Sequence, residues 1–474
     1  MSNYSKALAI NPQASQIAIL TLRDNNLQIL STDNLRQIYN LKLDDTTDSP
    51  NPPFCFLNET SLLPISKDLE SLELYNMLKN KLILKIKIAN DSKIKQIMSH
   101  VELEKLLVIL DNGTILIYDL LDGLNILDTV DIYKSFDDYQ LFSSKKNPDA
   151  KGKIEMNVGG QVVPPQKLNK TRPYPEQIQN NIKSKLMDYL INSNANGNIC
   201  IVFQKDRLVF TSIAKEQFTT ESNQTINDWI NNTDSDVIDV SGSAKTLNPI
   251  DKPEMVLKNV IVYNTKTLKF EKILKNLHES GIQTMCLSED GKILVTCSIK
   301  GTLIRCFRID DLNDNSNAKP FAEFRRGSTF VQVDQITIDS NNELIAVSIS
   351  NSEIIHVFNL RDYERINNSI NGLDGNRFNK YFKKFTKRDH VRSCCYIRKE
   401  LNQDLKSYKR CILQFERINK KFDVALDSQD QIGNLPDLNI LYDDKLKSYK
   451  INLDHSECGL SQKSPQINSF TSES

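Results

Sequence analysis

Apolar residues in this chain fall mostly in alternation or in short unbroken runs, and brief polar turns separate the runs. Three segments show one plan clearly. Leu106–Leu110 is followed by Asp111-Asn112-Gly113-Thr114 and then Ile115–Tyr118. Ile293–Cys297 leads through Ser298-Ile299-Lys300-Gly301-Thr302 into Leu303–Phe307, and Leu344–Ile349 through Ser350-Asn351-Ser352-Glu353 into Ile354–Phe358. A run, a short polar turn and a second run read as a β-hairpin. The N-terminal stretch Ile17–Leu22, Arg23–Asn26, Leu27–Leu30 fits the same template. Helical periodicity is scarce, so the core is strand-built.

Two of these hairpins are each preceded by a polar turn, Ser288–Lys292 and Asp339–Glu343, which sets the units about fifty residues apart, a propeller-blade spacing. The pattern predicts an all-β chain: a single seven-bladed β-propeller over 1–455, WD40-like with degenerate repeats. The expected blades are about 5–45, 50–90, 93–135, 185–272, 275–325, 328–390 and 391–455, with blades two, four and seven placed by spacing. The blade-length period disfavours a β-sandwich. The Trp-Asp dipeptide of WD repeats is absent, since Trp229, the one tryptophan, is followed by Ile230. Two stretches, about 138–185 (Lys, Asn, Gln and Pro) and about 215–250 (Asn, Thr, Ser and Asp), read as long disordered insertions in surface loops, and 456–474 as a disordered tail.

Composition narrows the chemistry. Lys+Arg and Asp+Glu are both 60, so no broad basic field exists for nucleic acid, and an anionic ligand must be met by local clustering. The nine cysteines form no C-x-x-C pair and lie mostly in apolar runs, as expected of buried thiols in a reducing compartment rather than a disulfide frame or a metal site. The start, Met-Ser-Asn-Tyr-Ser-Lys, has no apolar signal region, and no apolar run approaches ~18 residues, which predicts a cytosolic protein that docks on membranes reversibly if at all. There is no G-x-S-x-G elbow, no P-loop and no metal-spaced His/Cys cluster, and the five histidines lack acid–base partners. Neither an enzyme nor a cofactor is expected.

The most informative tetrapeptide is Phe324-Arg325-Arg326-Gly327. Neighbouring side chains on a strand point to opposite faces, so the two arginines suit two ligands better than one. The plain alternative is a solvated pair of charges at a strand end. Around the pair the sequence runs Leu277-His278, then Thr296 to Arg305, then Ser328-Thr329, then Ser350-Asn351 and His356. This succession, strongest over about 260–360, resembles the PROPPIN family of seven-bladed propellers that bind phosphoinositides in autophagy and endosomal traffic, and within it the fungal members with a long insertion between blades three and four. The resemblance implies two headgroup pockets on the circumference, one using His278, Ser298, Lys300, Thr302 and Arg305, the other Ser350, Asn351 and His356. Each would receive Arg325 or Arg326, and which takes which stays open. Independently of the family, guanidinium forks, a lysine, hydroxyls and turn amides are what a phosphate needs.

Between about 361 and 390 lies a segment with Tyr363, Ile366, Ile370, Leu373 and Phe378, then Tyr381, Phe382 and Phe385, interleaved with Arg377, Lys380, Lys383, Lys384, Lys387 and Arg388. A basic amphipathic stretch suits an anionic bilayer. The family inserts a loop of blade six, which implies an inserting part at about 361–380; packing of Tyr381, Phe382 and Phe385 into blade six is the alternative. The resemblance further implies a monomeric peripheral effector binding phosphatidylinositol 3-phosphate and the 3,5-bisphosphate. Its partners would be autophagy proteins of the conjugation machinery, and its sites of work pre-autophagosomal, endosomal or vacuolar membranes. The competing reading is a protein-only propeller scaffold of a coat or ligase complex.

Overall fold

A computed structural model describes residues 5–21, 25–43, 51–57, 61–88, 92–99, 105–132, 199–212, 257–314, 317–350, 352, 354–361, 363, 393–398, 411–416, 435–442, 445–451 and 453. The expected insertions at 138–185 and 215–250 and the tail at 456–474 lie outside these residues, as do Asn351, Ile366, Ile370, Leu373 and Phe378.

The chain is a seven-bladed β-propeller of antiparallel sheets. Blade one comprises β1 (Ser5–Ile10), β2 (Gln16–Thr21), β3 (Asn26–Ser31) and β4 (Gln37–Lys42). Blade two has β5 (Leu62–Ile65), β6 (Ser71–Asn76) and β7 (Lys81–Lys87), and its innermost strand shrinks to the bridge Phe54↔Ile65, where Pro52 and Pro53 withhold ladder donors. Blade three is β8 (Ile94–Ser99), β9 (Lys105–Leu110), β10 (Thr114–Asp119) and β11 (Ile126–Asp131). Blade four is β12 (Ile201–Gln204), β13 (Arg207–Ser212), β14 (Asn259–Asn264) and β15 (Lys269–Leu274). Blade five is β16 (Ile282–Leu287), β17 (Ile293–Ser298), β18 (Leu303–Arg308) and β19 (Ala322–Arg325). Blade six is β20 (Val333–Ile338), β21 (Leu344–Ile349), β22 (Ile354–Asn359) and β23 (Cys395–Arg398), and blade seven is β24 (Ile412–Phe415), β25 (Leu438–Tyr442) and β26 (Lys445–Tyr449).

One boundary differs from expectation. Residues 395–398 were expected to open blade seven, but they pair with β22 and form the fourth strand of blade six. The cross-strand pairs Ile355↔Ile397 and Val357↔Cys395 decide this, because together they bury four apolar side chains. The segment expected to meet the bilayer therefore joins the third and fourth strands of that blade.

A repeat that sequence identity hides is visible in the register. In blades one to four the outermost ladder slips by one residue, at Ile29/Leu30, Leu74/Tyr75, Ile117/Tyr118 and Val262/Tyr263. The residue after the slip is buried in every case, and Phe307 and Phe358 hold the equivalent place in blades five and six. Turns repeat as well. The backbone N–H of Asn11, Ser288 and Asp339 each donates to the carbonyl five residues on, at 2.9, 2.9 and 3.0 Å. Their side chains accept the returning amides: Asn11 Oδ1 from Ser15 and Gln16, Ser288 Oγ from Ile293, and Asp339 Oδ1 from Glu343 and Leu344. This is why Asn, Ser and Asp stand where the polar turns begin.

Both faces of the central blades are covered. Val295, Cys297, Ile304 and Phe324 of blade five pack on Val333, Val347 and Phe358 of blade six, while Leu294 and Phe307 pack on Val260 and Leu277 at the blade-four side. Inner-strand glutamines stitch neighbouring blades together. Gln283 Oε1 accepts the Val333 amide at 3.0 Å, Gln335 exchanges two 3.0 Å bonds with the Leu413 backbone, and Gln414 Nε2 donates to Pro12 O at 3.3 Å. The last stitch joins blade seven to blade one, alongside Ile17 and Ile19 packed on Ile412, Leu441 and Leu446.

Asp339→Ala leaves two buried amides without their acceptor and is expected to cost about 2–3 kcal/mol. Asp339→Asn, which restores the arrangement around Asn11, should lose less than half of that; urea unfolding midpoints of the two variants check the ranking.

Candidate functional site

The candidate site is built on the rim of blade five. The hairpin joining β17 to β18 turns at Gly301, whose φ is +66° and whose N–H donates to Ser298 O at 2.7 Å. A Cβ added at Gly301 would lie 2.1 Å from Val331 O, so only glycine admits the returning segment there. On the other side of β18, the β19 ladder pairs Leu303 with Arg325 and Arg305 with Glu323. It continues one rung further, with Arg326 N donating to Thr302 O at 3.0 Å.

Strand alternation then sorts the side chains. Thr296, Arg305 and Glu323 are cross-strand neighbours on the face toward blade four, and Ser298 and Arg325 each follow two residues along on that same face. Here Arg305 donates through Nε to Glu323 Oε2 at 2.6 Å and through Nη1 to Leu277 O at 2.7 Å. His278 is 1% exposed, with its Nε2 2.8 Å from Thr296 Oγ1. The hydroxyl of Ser298 is buried without a hydrogen-bond partner, whereas Arg325 is exposed, its Nε 3.5 Å from Gly327 O.

The opposite face looks toward blade six. Phe324 is fully buried there, its ring centroid 5.1 Å from that of Phe358 and 5.5 Å from that of Tyr363. Arg326 follows on this side. Its Nε donates to Gly301 O at 2.9 Å and its Nη2 to Thr329 O, which fixes the plane of the guanidinium. Its charge reaches His356, whose Nδ1 is 3.3 Å from Ser393 Oγ. The Ser350 hydroxyl donates to Asp334.

The structure thus divides the arginines, which the sequence left open. Arg325 goes with Ser298 on the blade-four side, and Arg326 with His356 on the blade-six side. Four expectations need correcting. His278 lies buried beneath the site on Thr296 rather than at its surface. Arg305 is engaged by Glu323 and the Leu277 carbonyl rather than standing free. Thr302 lies opposite Arg326, on the other face of the sheet from Ser298 and Arg305, with which it was grouped. Tyr363, expected in the membrane-inserting loop, packs inward on Phe324. Lys300 stays exposed at the hairpin tip, with its Nζ 5.5 Å from the Phe330 ring centroid.

Sequence reasoning passed over Thr296, Glu323 and Asp334. The first two were within reach, being two residues from Ser298 and Arg325 along alternating strands. Asp334 was not, because it sits at the register slip between Val333 and Gln335.

Burial dominates the electrostatics. It holds His278 at about 3, with Arg305 adding to the effect, and His356 at about 4, with Arg326 adding to it. Both imidazoles are neutral at pH 7. Burial also lowers the pKa of Arg326, and it pushes the Cys297 thiol up to about 12, so that thiol is not a nucleophile. Among the described residues no His, Cys, Asp and Glu group is arranged to hold a metal ion, and no disulfide occurs.

No protein-family model matches the chain. It is 28% identical over 122 residues to autophagy-related protein 21 of Vanderwaltozyma polyspora, covering 25% of this chain and 29% of that protein. It is 32% identical over 120 residues to autophagy-related protein 21 of Saccharomyces cerevisiae, covering 24% of each. With autophagy-related protein 18 of Kluyveromyces marxianus it shares 34% identity over 110 residues, 23% of this chain and 20% of that one. The match spans about a quarter of the length of these relatives. In fold, the chain superposes on KlAtg21, solved in complex with the coiled-coil of AgAtg16, with a TM-score of 0.57 at 15% identity, covering 97% of this chain and 98% of that one. Hsv2 of Kluyveromyces lactis gives a TM-score of 0.53 at 15% identity over the same shares. The PROPPIN resemblance read from the residues is therefore matched by the chain's relatives and by its propeller fold.

Buried His278 and half-buried His356 both have native pKa values below the ordinary 6.5. Between that value and about 4 the unfolded chain binds more protons than the native one, so stability falls as pH falls, by up to ~1.4 kcal/mol per pH unit for each histidine. Urea midpoints from pH 7.5 down to 5 should decline, and His278→Gln should decline less steeply from a lower starting stability. Equal slopes would refute the assignment to His278.

Proposed function

We propose that the rim of blades five and six binds phosphoinositide headgroups, one on each side of β19. Arg325 with Ser298 and the hairpin lysine Lys300 serves one site, and Arg326 with His356 and Thr302 serves the other. The observation that carries this reading is a pair of adjacent arginines separated by the sheet itself, each with its own hydroxyl or imidazole neighbour. Guanidinium N–H groups meet phosphate oxygens in pairs, and a plane already fixed by two carbonyls, as for Arg326, loses little freedom when it does so.

The lipids best suited are phosphatidylinositol 3-phosphate and the 3,5-bisphosphate, and the chain then acts as a peripheral effector that brings autophagy proteins of the conjugation machinery to pre-autophagosomal, endosomal or vacuolar membranes. The relatives named autophagy-related proteins 21 and 18, and a structural neighbour solved with a coiled-coil partner, support this reading. Two sites on one rigid rim reinforce each other, because the second headgroup binds at high effective concentration.

One lost arginine removes a charge-assisted contact of about 1.5–3 kcal/mol, so Arg325→Thr and Arg326→Thr should each weaken vesicle co-sedimentation roughly tenfold or more. The double variant should abolish it, and wild-type binding should fall steeply with added salt. A folded double variant that still sediments like wild type would overturn the proposal in favour of a protein-only scaffold.

A further inference from the structure

We infer that Phe330 is a bilayer-contacting side chain, placed between the two arginine sites and immersed in the membrane interface when they hold lipid; the inference rests on the headgroup reading above. Phe330 is 73% exposed. Among the described residues, the other large apolar side chains exposed in this way are Ile38, Leu78, Leu82, Ile83, Leu121 and Ile126, all in blades one to three. Phe330 is thus the one such residue in the half of the ring that carries the candidate site, and the one aromatic ring in the group.

Its exposure is built into the local packing. The segment after Gly327 folds back over the hairpin tip, where Val331 N donates to Lys300 O at 3.3 Å and Arg326 Nη2 donates to Thr329 O. The missing Cβ of Gly301 is what lets Val331 come so close. Residues 329 and 331 are thereby held from both sides, and residue 330 between them stands out toward solvent. The ring lies 5.5 Å from the Lys300 ammonium and within five residues of both arginines. An exposed aromatic beside cations is the combination an anionic bilayer interface receives well: the ring enters the headgroup and acyl boundary while the cations stay among phosphates. An aqueous anion would reward the cations but not the ring.

The test separates ring from headgroup. Phe330→Ser should bind soluble inositol 1,3-bisphosphate as wild type does in calorimetry. It should bind phosphatidylcholine vesicles carrying phosphatidylinositol 3-phosphate about tenfold more weakly, the loss of one apolar anchor. In a Trp229→Phe background, Phe330→Trp should give an emission that shifts blue on vesicle addition and is quenched by brominated lipid. Wild-type vesicle binding by Phe330→Ser, an unquenched indole, or loss of soluble headgroup binding by Phe330→Ser would each overturn the inference. Unweakened vesicle binding by the arginine double variant, with the indole still quenched, would count against the headgroup reading and leave the immersion of the ring standing.

Discussion

Everything distinctive about this molecule follows from blades that are packed on both faces. A sheet in the middle of the ring has no free surface, so its broad sides are committed to neighbours: Val295, Cys297 and Phe324 to blade six, Leu294 and Phe307 to blade four. Polar chemistry is left with hairpin tips and the outermost strand. β19 is such a strand, and on it the alternation that buries Phe324 also throws Arg325 and Arg326 to opposite sides. The division of the two arginines between the faces is thus a by-product of how a propeller buries its core.

The same packing explains why the site carries acids as well as bases. Arg305 lies partly inside, where an unpaired guanidinium would be costly, and Glu323 answers it across the ladder. That pair orients Arg305, whose Nη1 donates to the Leu277 carbonyl beside His278. The cations nearer solvent, Arg325 and Lys300, are the ones left exposed. At this rim Glu323 lies one layer further in than the exposed Arg325.

Much of this was legible in the sequence. The hairpins at 106–118, 293–307 and 344–358 announced themselves through apolar runs around short polar turns, and the Phe-Arg-Arg-Gly motif on a strand required two faces. What the sequence hid was set by pairing. Residues 395–398 could not be assigned to blade six without their partners Ile354–Val357, because a long polar stretch intervenes and spacing alone pulls them forward. The burial of His278 and the inward turn of Tyr363 depend on neighbours far along the chain, Thr296 and Phe324. Side-chain type identified the cluster, and only the register decided which members face outward.

The glutamine stitches at the inner strands have a further meaning. Blades five to six, six to seven and seven to one are joined by one device, an amide reaching the next blade's backbone, and among the described residues no strand of blade one pairs with blade seven. The joint between blades seven and one is therefore built like the two that precede it around the ring. A bond that recurs from joint to joint in this way makes the order of the blades a property of the circle rather than of the thread.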